Sequence, residues 1–98
     1  MKLFKESLEF QWDKGNIGKN FKHKVEDREA EEPFFDRKRK VYKDILHSSR
    51  QEKRYILLGK TKNKRLLYVV FTMRGGKIRI ISSRDINKRE MAMYEKKA

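Results

Sequence analysis

Apolar residues in this chain come mostly in short alternating bursts set between cationic stretches, a pattern that favours strands over long helices. The strongest burst is "RLLYVVFTM" at residues 65–73, rich in β-branched and aromatic side chains. "RGGK" follows, and Gly75-Gly76 supplies the positive φ values of a two-residue hairpin turn into "IRIISSR". Upstream, "RYILLG" at 54–59 reads as a strand and "KTKNK" as the turn after it. Residues 41–46 form an irregular strand, and "HSSRQEK" reads as a polar loop. Near the start, "LEFQWD" alternates like a short strand. Asp13 is placed to cap a helix over about 14–24, with Trp12 and Ile17 as a hydrophobic staple and Ile17 and Phe21 on one buried stripe. A second short helix spans about 27–35, acidic at its start and ended or distorted by Pro33. A closing helix covers about 85–96. Early helices, an antiparallel meander and a final helix make an α+β fold.

The hairpin can be read by face. A turn at Gly75-Gly76 sets Met73 opposite Ile78, Thr72 opposite Arg79 and Phe71 opposite Ile80. Leu67, Val69, Phe71, Met73, Ile78 and Ile80 then share one apolar face that packs on the helices. The other face carries Tyr68, Val70 and Ile81, then turns polar toward the tip with Thr72, Arg74, Lys77 and Arg79. The ribbon thus presents a cationic patch beside a hydroxyl, away from the helices. Arg84 ends the last strand, and Arg54 begins an earlier one just after Glu52. A one-residue slip would bury the cations, so the register is well specified.

Charge changes the picture most. Lys and Arg number 27 against 14 Asp and Glu, a formal net charge of +13. Such a field attracts polyanions. "EDREAEE" concentrates five of the acids, which leaves the C-terminal half more basic still. Cations on strand-like segments argue against a membrane surface as partner. With no cysteine and only His23 and His47, the chain offers neither a disulfide framework nor a thiolate metal site. No cofactor is expected. Without an apolar run of membrane length or a signal-peptide core, the expectation is one soluble, cytoplasmic domain. Arginines at strand ends and a hairpin tip suit phosphate recognition, because the guanidinium is a planar fork that stays charged.

Five stretches occur together in an order that resembles the BrnT family: "FQWD", "KHKV", "HSSRQEKRYILLG", "LLYVVFTMRGGKIRIISSR" and "REMAMYE". The resemblance runs from about residue 9 to residue 95. It departs from the family pattern at Lys24, where glycine is usual, and at Ser83, where alanine is common. Pro33 stands at a helical apolar position, and Arg89-Glu90 reverses the usual charge order. The resemblance implies a RelE-like fold, RNA cleavage and a hetero-oligomeric complex with a BrnA-like ribbon–helix–helix antitoxin. Through that antitoxin, and only indirectly, it implies contact with DNA.

Metal-free RNA cleavage needs a deprotonated 2′-hydroxyl, a stabilised phosphate and a protonated leaving oxygen. Arg54, Arg74, Arg79 and Arg84 are candidates for the phosphate. Glu52, beside Arg54 on one strand face, is a candidate base. His47 is a candidate acid or base. Thr72, Lys77 and Tyr94 are candidates for holding RNA, Tyr94 with a core role as its alternative. The rival readings are a non-catalytic RNA-binding or ribosome-associated module, and an inactive homologue kept within a repressor complex.

Overall fold

The computed structural model describes residues 8–96. Gly75 and Gly76 both adopt positive φ, 59° and 79°, and close a tight hairpin with Arg74 opposite Lys77. This hairpin joins β3 (Leu66–Arg74) to β4 (Lys77–Asp85). β2 (Arg54–Lys60) and β1 (Lys40–Lys43) continue the antiparallel sheet in the order β1-β2-β3-β4. The expected pairs Met73–Ile78, Thr72–Arg79 and Phe71–Ile80 all form. Phe71, Val69, Leu67, Ile78 and Ile80 are buried on one face, with Val25, Ala30, Phe34 and Leu57 completing the cluster. Phe34 meets Phe71 edge-on at 5.0 Å between centroids, and Tyr55 stacks on its other side at 5.5 Å.

A bulge at Val70/Phe71 then alters the register. Phe71 faces Ile80 but Val70 faces Ser82, so Ile81 is the extra residue. Without it Arg84 would lie opposite Leu67 on the apolar face. The bulge brings Arg84 opposite Tyr68 instead, with its guanidinium carbon 3.9 Å from the ring centroid. A buried, unpaired cation is thereby avoided. The same shift turns Ser83 inward opposite Val69, where its Oγ is fully buried with no hydrogen-bond partner among the described residues. That is the position where alanine is common in the resemblance. Ser83→Ala is expected to stabilise the fold by about 1 kcal/mol, since a buried unsatisfied hydroxyl carries its desolvation cost uncompensated. Thermal unfolding checks this, and a lower melting temperature would show that the hydroxyl does find a partner.

The N-terminal elements depart from expectation. Residues 8–12 give one parallel bridge, Phe10 to Ile78, along the outer edge of β4, and no longer strand. The helix expected over 14–24 is replaced by a turn and a 3₁₀ helix, Lys19–His23. Gly18 and Lys24 are left-handed at its two ends, with φ of 68° and 58°. Lys24 thus takes a conformation suited to glycine, the usual residue there in the resemblance. The buried anchors are Asn16 and Asn20, while Ile17 and Phe21 are exposed. Asn16 wins its place by hydrogen bonding: its amide donates to the carbonyls of Gln11 and Ile80, and its oxygen accepts from Asp13 N–H. Trp12 accordingly makes no staple with Ile17. It packs on the core and donates its indole N–H to Glu31 at 2.6 Å.

α1 (Asp27–Glu31) tightens into a second 3₁₀ helix, Glu32–Phe35, through Pro33. Pro33 lies so close to β2 that a Cβ on Gly59 would fall 2.7 Å from its carbonyl oxygen. The strand expected over 41–46 stops at Lys43, and Ile45 and Leu46 stand exposed in the following turn. α2 (Lys88–Glu95) starts later than expected because β4 runs to Asp85 and Asn87 caps the helix in a reciprocal box with Glu90. α2 lies against the face opposite the main core. Leu58 is fully buried there, Arg84 grips Glu90, and Tyr42 donates its hydroxyl to the Met93 carbonyl. The cationic face is therefore free of helices only at its hairpin end.

Candidate active site

On the face opposite the core, the register places Arg54, Thr72 and Arg79 in one row across β2, β3 and β4. Directly opposed residues on neighbouring strands lie about 5 Å apart, so the three side chains are immediate neighbours. Asp44 extends the row past the end of β1, its N–H donating to the Arg54 carbonyl at 2.9 Å. Thr72 is 2 % exposed and its hydroxyl donates to the Lys53 carbonyl at 2.7 Å, so it fixes the start of β2 more than it faces solvent.

Each candidate arginine meets a carboxylate. Arg54 Nε donates to Glu52 at 2.8 Å, and Arg74 reaches the other oxygen of Glu52 at 3.4 Å. Arg54, and Arg74 after it, holds the Glu52 carboxyl below its ordinary range. Glu52 is thus poised as an anion that aligns two arginines, and is a weaker proton acceptor for it. Arg54 uses only Nε, so its two terminal nitrogens have no hydrogen-bond partner among the described residues. Arg79 spends both terminal nitrogens on Asp13, at 2.8 and 2.9 Å, and one of them also on Gln11 at 3.2 Å. Its side chain is only 12 % exposed. The Arg79 bond and the Gly15 N–H depress the Asp13 carboxyl. Lys77 stands at the tip, 4.0 Å from Glu9.

His47 joins this end of the sheet through its Nδ1, 2.9 and 3.0 Å from the two oxygens of Asp44. A carboxylate only accepts, so Nδ1 carries a proton, and in the neutral ring Nε2 keeps its lone pair. Ser48 locks the loop beneath it, donating to the Asp44 carbonyl and accepting from Arg54 N–H. Asp44 was not among the sequence candidates. The turn after β1 hides it, because its relation to His47 depends on the chain bending back toward Arg54. In the sequence Asp13 reads only as a helix cap, and its grip on Arg79 across 66 residues has no local signature.

Arg84 and Tyr94 are not part of this group. Arg84 lies opposite Tyr68, four residues and about 13 Å along β3 from Thr72. It holds Glu90 through two bonds of 2.9 and 2.8 Å. Tyr94 is buried, and its hydroxyl donates to Asp36 at 2.5 Å. Burial, then Asp36, raises the Tyr94 pKa strongly. Both residues serve the docking of α2. Burial alone would raise the Glu90 pKa, but the bonds from Arg84 and from the Asn87 N–H outweigh it and hold the group below its ordinary 4.5. A depressed carboxyl contributes stability that is complete above its unfolded value and lost as pH falls through the lower folded one. Melting temperature should therefore fall as pH drops below about 4.5, and Glu90→Gln should flatten part of that fall. Parallel acid curves for the two proteins would refute the linkage.

Among the described residues no group of three His, Asp or Glu could hold a metal ion, and no helix is long and apolar enough to cross a membrane. A family model described as the ribonuclease toxin BrnT of type II toxin–antitoxin systems matches residues 12–90. The chain belongs to the BrnT family. This bears out the resemblance carried by the motif order. Comparison with curated proteins gives no match. The BrnT match takes in Asp13, Asp44, His47, Glu52, Arg54, Arg74, Lys77 and Arg79. As the toxin of a type II system, a BrnT protein implies an RNA target and an antitoxin partner.

Proposed function

We propose that the protein is an endoribonuclease toxin that cleaves RNA without a metal ion, using the row that runs from His47 and Asp44 through Arg54 and Thr72 to Arg79. The observation that carries this reading is the juxtaposition of an Asp-oriented imidazole with an arginine whose terminal nitrogens have no partner among the described residues. In this mechanism His47 Nε2 takes the proton of the ribose 2′-hydroxyl as its oxygen attacks phosphorus. The resulting imidazolium, or a water, protonates the departing 5′-oxygen. Arg54 donates to the phosphate oxygens as negative charge accumulates, with Arg74 beside it across Glu52. Arg79, Lys77 and Thr72 border the site, and Glu52 aligns the arginines. The metal-free character is supported by the side chains: Glu52 and Asp13, the carboxylates nearest the arginines, are committed to ion pairs.

The α+β meander with a closing helix is consistent with a RelE-like fold, and the net charge of +13 with an acidic or nucleic-acid partner. The partner in this reading is a BrnA-like ribbon–helix–helix antitoxin, so DNA is reached only through it. Purified protein should cleave single-stranded RNA equally with and without EDTA. Cleavage abolished by EDTA and restored by a divalent ion would overturn the metal-free mechanism. Tight binding with RNA left intact would replace the enzyme by a non-catalytic binding module.

A further inference from the structure

Beside the row, a cavity of 470 Å³ opens between the 44–53 loop and the adjoining ends of β1 and β2. Four of its lining residues, Lys43, Arg50, Lys53 and Arg54, are cations and none is an acid. Its size falls within the roughly 300–1,000 Å³ of clefts that take small ligands. Unpaired lysines are common on this chain, so lack of a partner alone marks nothing. Three features together set this recess apart.

First, Lys43, Arg50 and Lys53 make no side-chain ion pair or hydrogen bond among the described residues, so their charge is uncancelled. Every arginine of the neighbouring row, by contrast, already holds or shares a carboxylate. Second, the recess also takes in Ser48 and Arg54 at the start of β2, so a chain leaving it rounds the end of that strand onto the opposite face, where the row lies. Third, its wall is mixed: Ile45, 79 % exposed, and the outer side of the half-buried Tyr55, whose ring stacks on Phe71 from within, offer apolar surface beside the cations. A second large cleft, near Asp36, sets Glu31, Glu32 and Asp36 against Arg28, Lys60 and Lys62 and has no such excess.

We infer that this recess is a substrate subsite that holds the nucleotide next to the scissile phosphate. Lys43, Arg50 and Lys53 grip the flanking phosphates of single-stranded RNA, and a base rests against Ile45 and Tyr55. Cations that track a backbone beside an aromatic face are the usual means of holding single-stranded nucleic acid. The assignment rests on the ribonuclease reading and extends it: affinity comes mainly from the free cations of the recess, and chemistry from the row.

The test compares two triple variants. Lys43→Ala/Arg50→Ala/Lys53→Ala empties the recess of its free cations. Lys19→Ala/Lys62→Ala/Lys88→Ala removes the same charge from exposed positions elsewhere. Binding is read by anisotropy on a fully 2′-O-methylated RNA of about ten nucleotides, which fills one single-strand site and cannot be cleaved. The recess variant should bind about 10- to 100-fold more weakly, with the salt slope reduced by about 2, as expected for three lost phosphate contacts on a single strand. On cleavable RNA its KM should rise far more than its kcat falls. The control variant should change affinity by less than about threefold. Equal losses in the two variants would overturn the subsite while leaving the ribonuclease reading intact. Normal RNA affinity with lost binding of oligoglutamate would mean that the recess takes an acidic peptide, and would overturn the RNA assignment. A wild-type protein that neither binds nor cleaves RNA would remove the function and the subsite together.

Discussion

Replacing His47 by alanine should lower RNA cleavage by about 10²- to 10⁴-fold, the range for losing a positioned general acid or base. Thermal unfolding should barely move, because the side chain is 66 % exposed and, among the described residues, hydrogen-bonds to Asp44 alone. Asp44→Asn separates position from chemistry. An asparagine amide can donate to Nδ1, which would shift the ring proton to Nε2 and remove the base. It would also leave the imidazolium without its counter-charge. The variant should therefore lose kcat more than it raises KM, and its pH–rate profile should change shape. Full activity in folded His47→Ala would take His47 out of the site. An Asp44→Asn protein with the wild-type profile would reduce Asp44 to a structural residue of the turn.

Arg54→Ala should cost about 10²- to 10³-fold in cleavage rate, the effect of removing one preorganised donor from developing negative charge. Arg54→Lys should recover only part, since an ammonium cannot present two parallel donors. Arg79→Ala is expected to behave differently. Its fork is spent on Asp13 and Gln11, so its removal releases the 11–16 turn from the β4 edge. The main loss there should be in stability, seen as a lower melting temperature, because charge-assisted bonds to a little-exposed side chain are removed. Asp13→Asn should reproduce much of that stability loss with Arg79 still present. The measurements are paired, unfolding and cleavage on the same preparations. If Arg79→Ala is as stable as wild type but inactive, the order of the two arginines is reversed and Arg79 is the phosphate donor.

This division between Arg54 and Arg79 shows how far residues alone could be read. Both are strand arginines beside Thr72, and the one local mark, Glu52 beside Arg54, would suggest that Arg54 is the spent one. What distinguishes them is Asp13, which lies 66 positions from Arg79 in the chain and reaches it only because Phe10 docks against Ile78. In the same way Glu52 reads as a base beside an arginine, until a second arginine from β3 arrives on its other oxygen.

The amino-acid sequence by itself determined the family, the hairpin and its two faces. Alternation along β3 and β4 assigns Phe71 and Ile80 inward and Thr72 and Arg79 outward, and Gly75-Gly76 leaves one low-strain way to turn. These are local rules with a period of two, strong wherever one face must leave water. Tertiary structure decided the rest. The bulge at Ile81 was invisible because it answers to the burial of Arg84, not to any turn residue. The helix expected over 14–24 failed because the apolar spacing of Ile17 and Phe21 competed with Asn16, whose amide satisfies three backbone groups brought together from Gln11, Asp13 and Ile80. Hydrophobic period is a statement about one segment, whereas a buried amide is worth its place only when distant backbone groups converge on it.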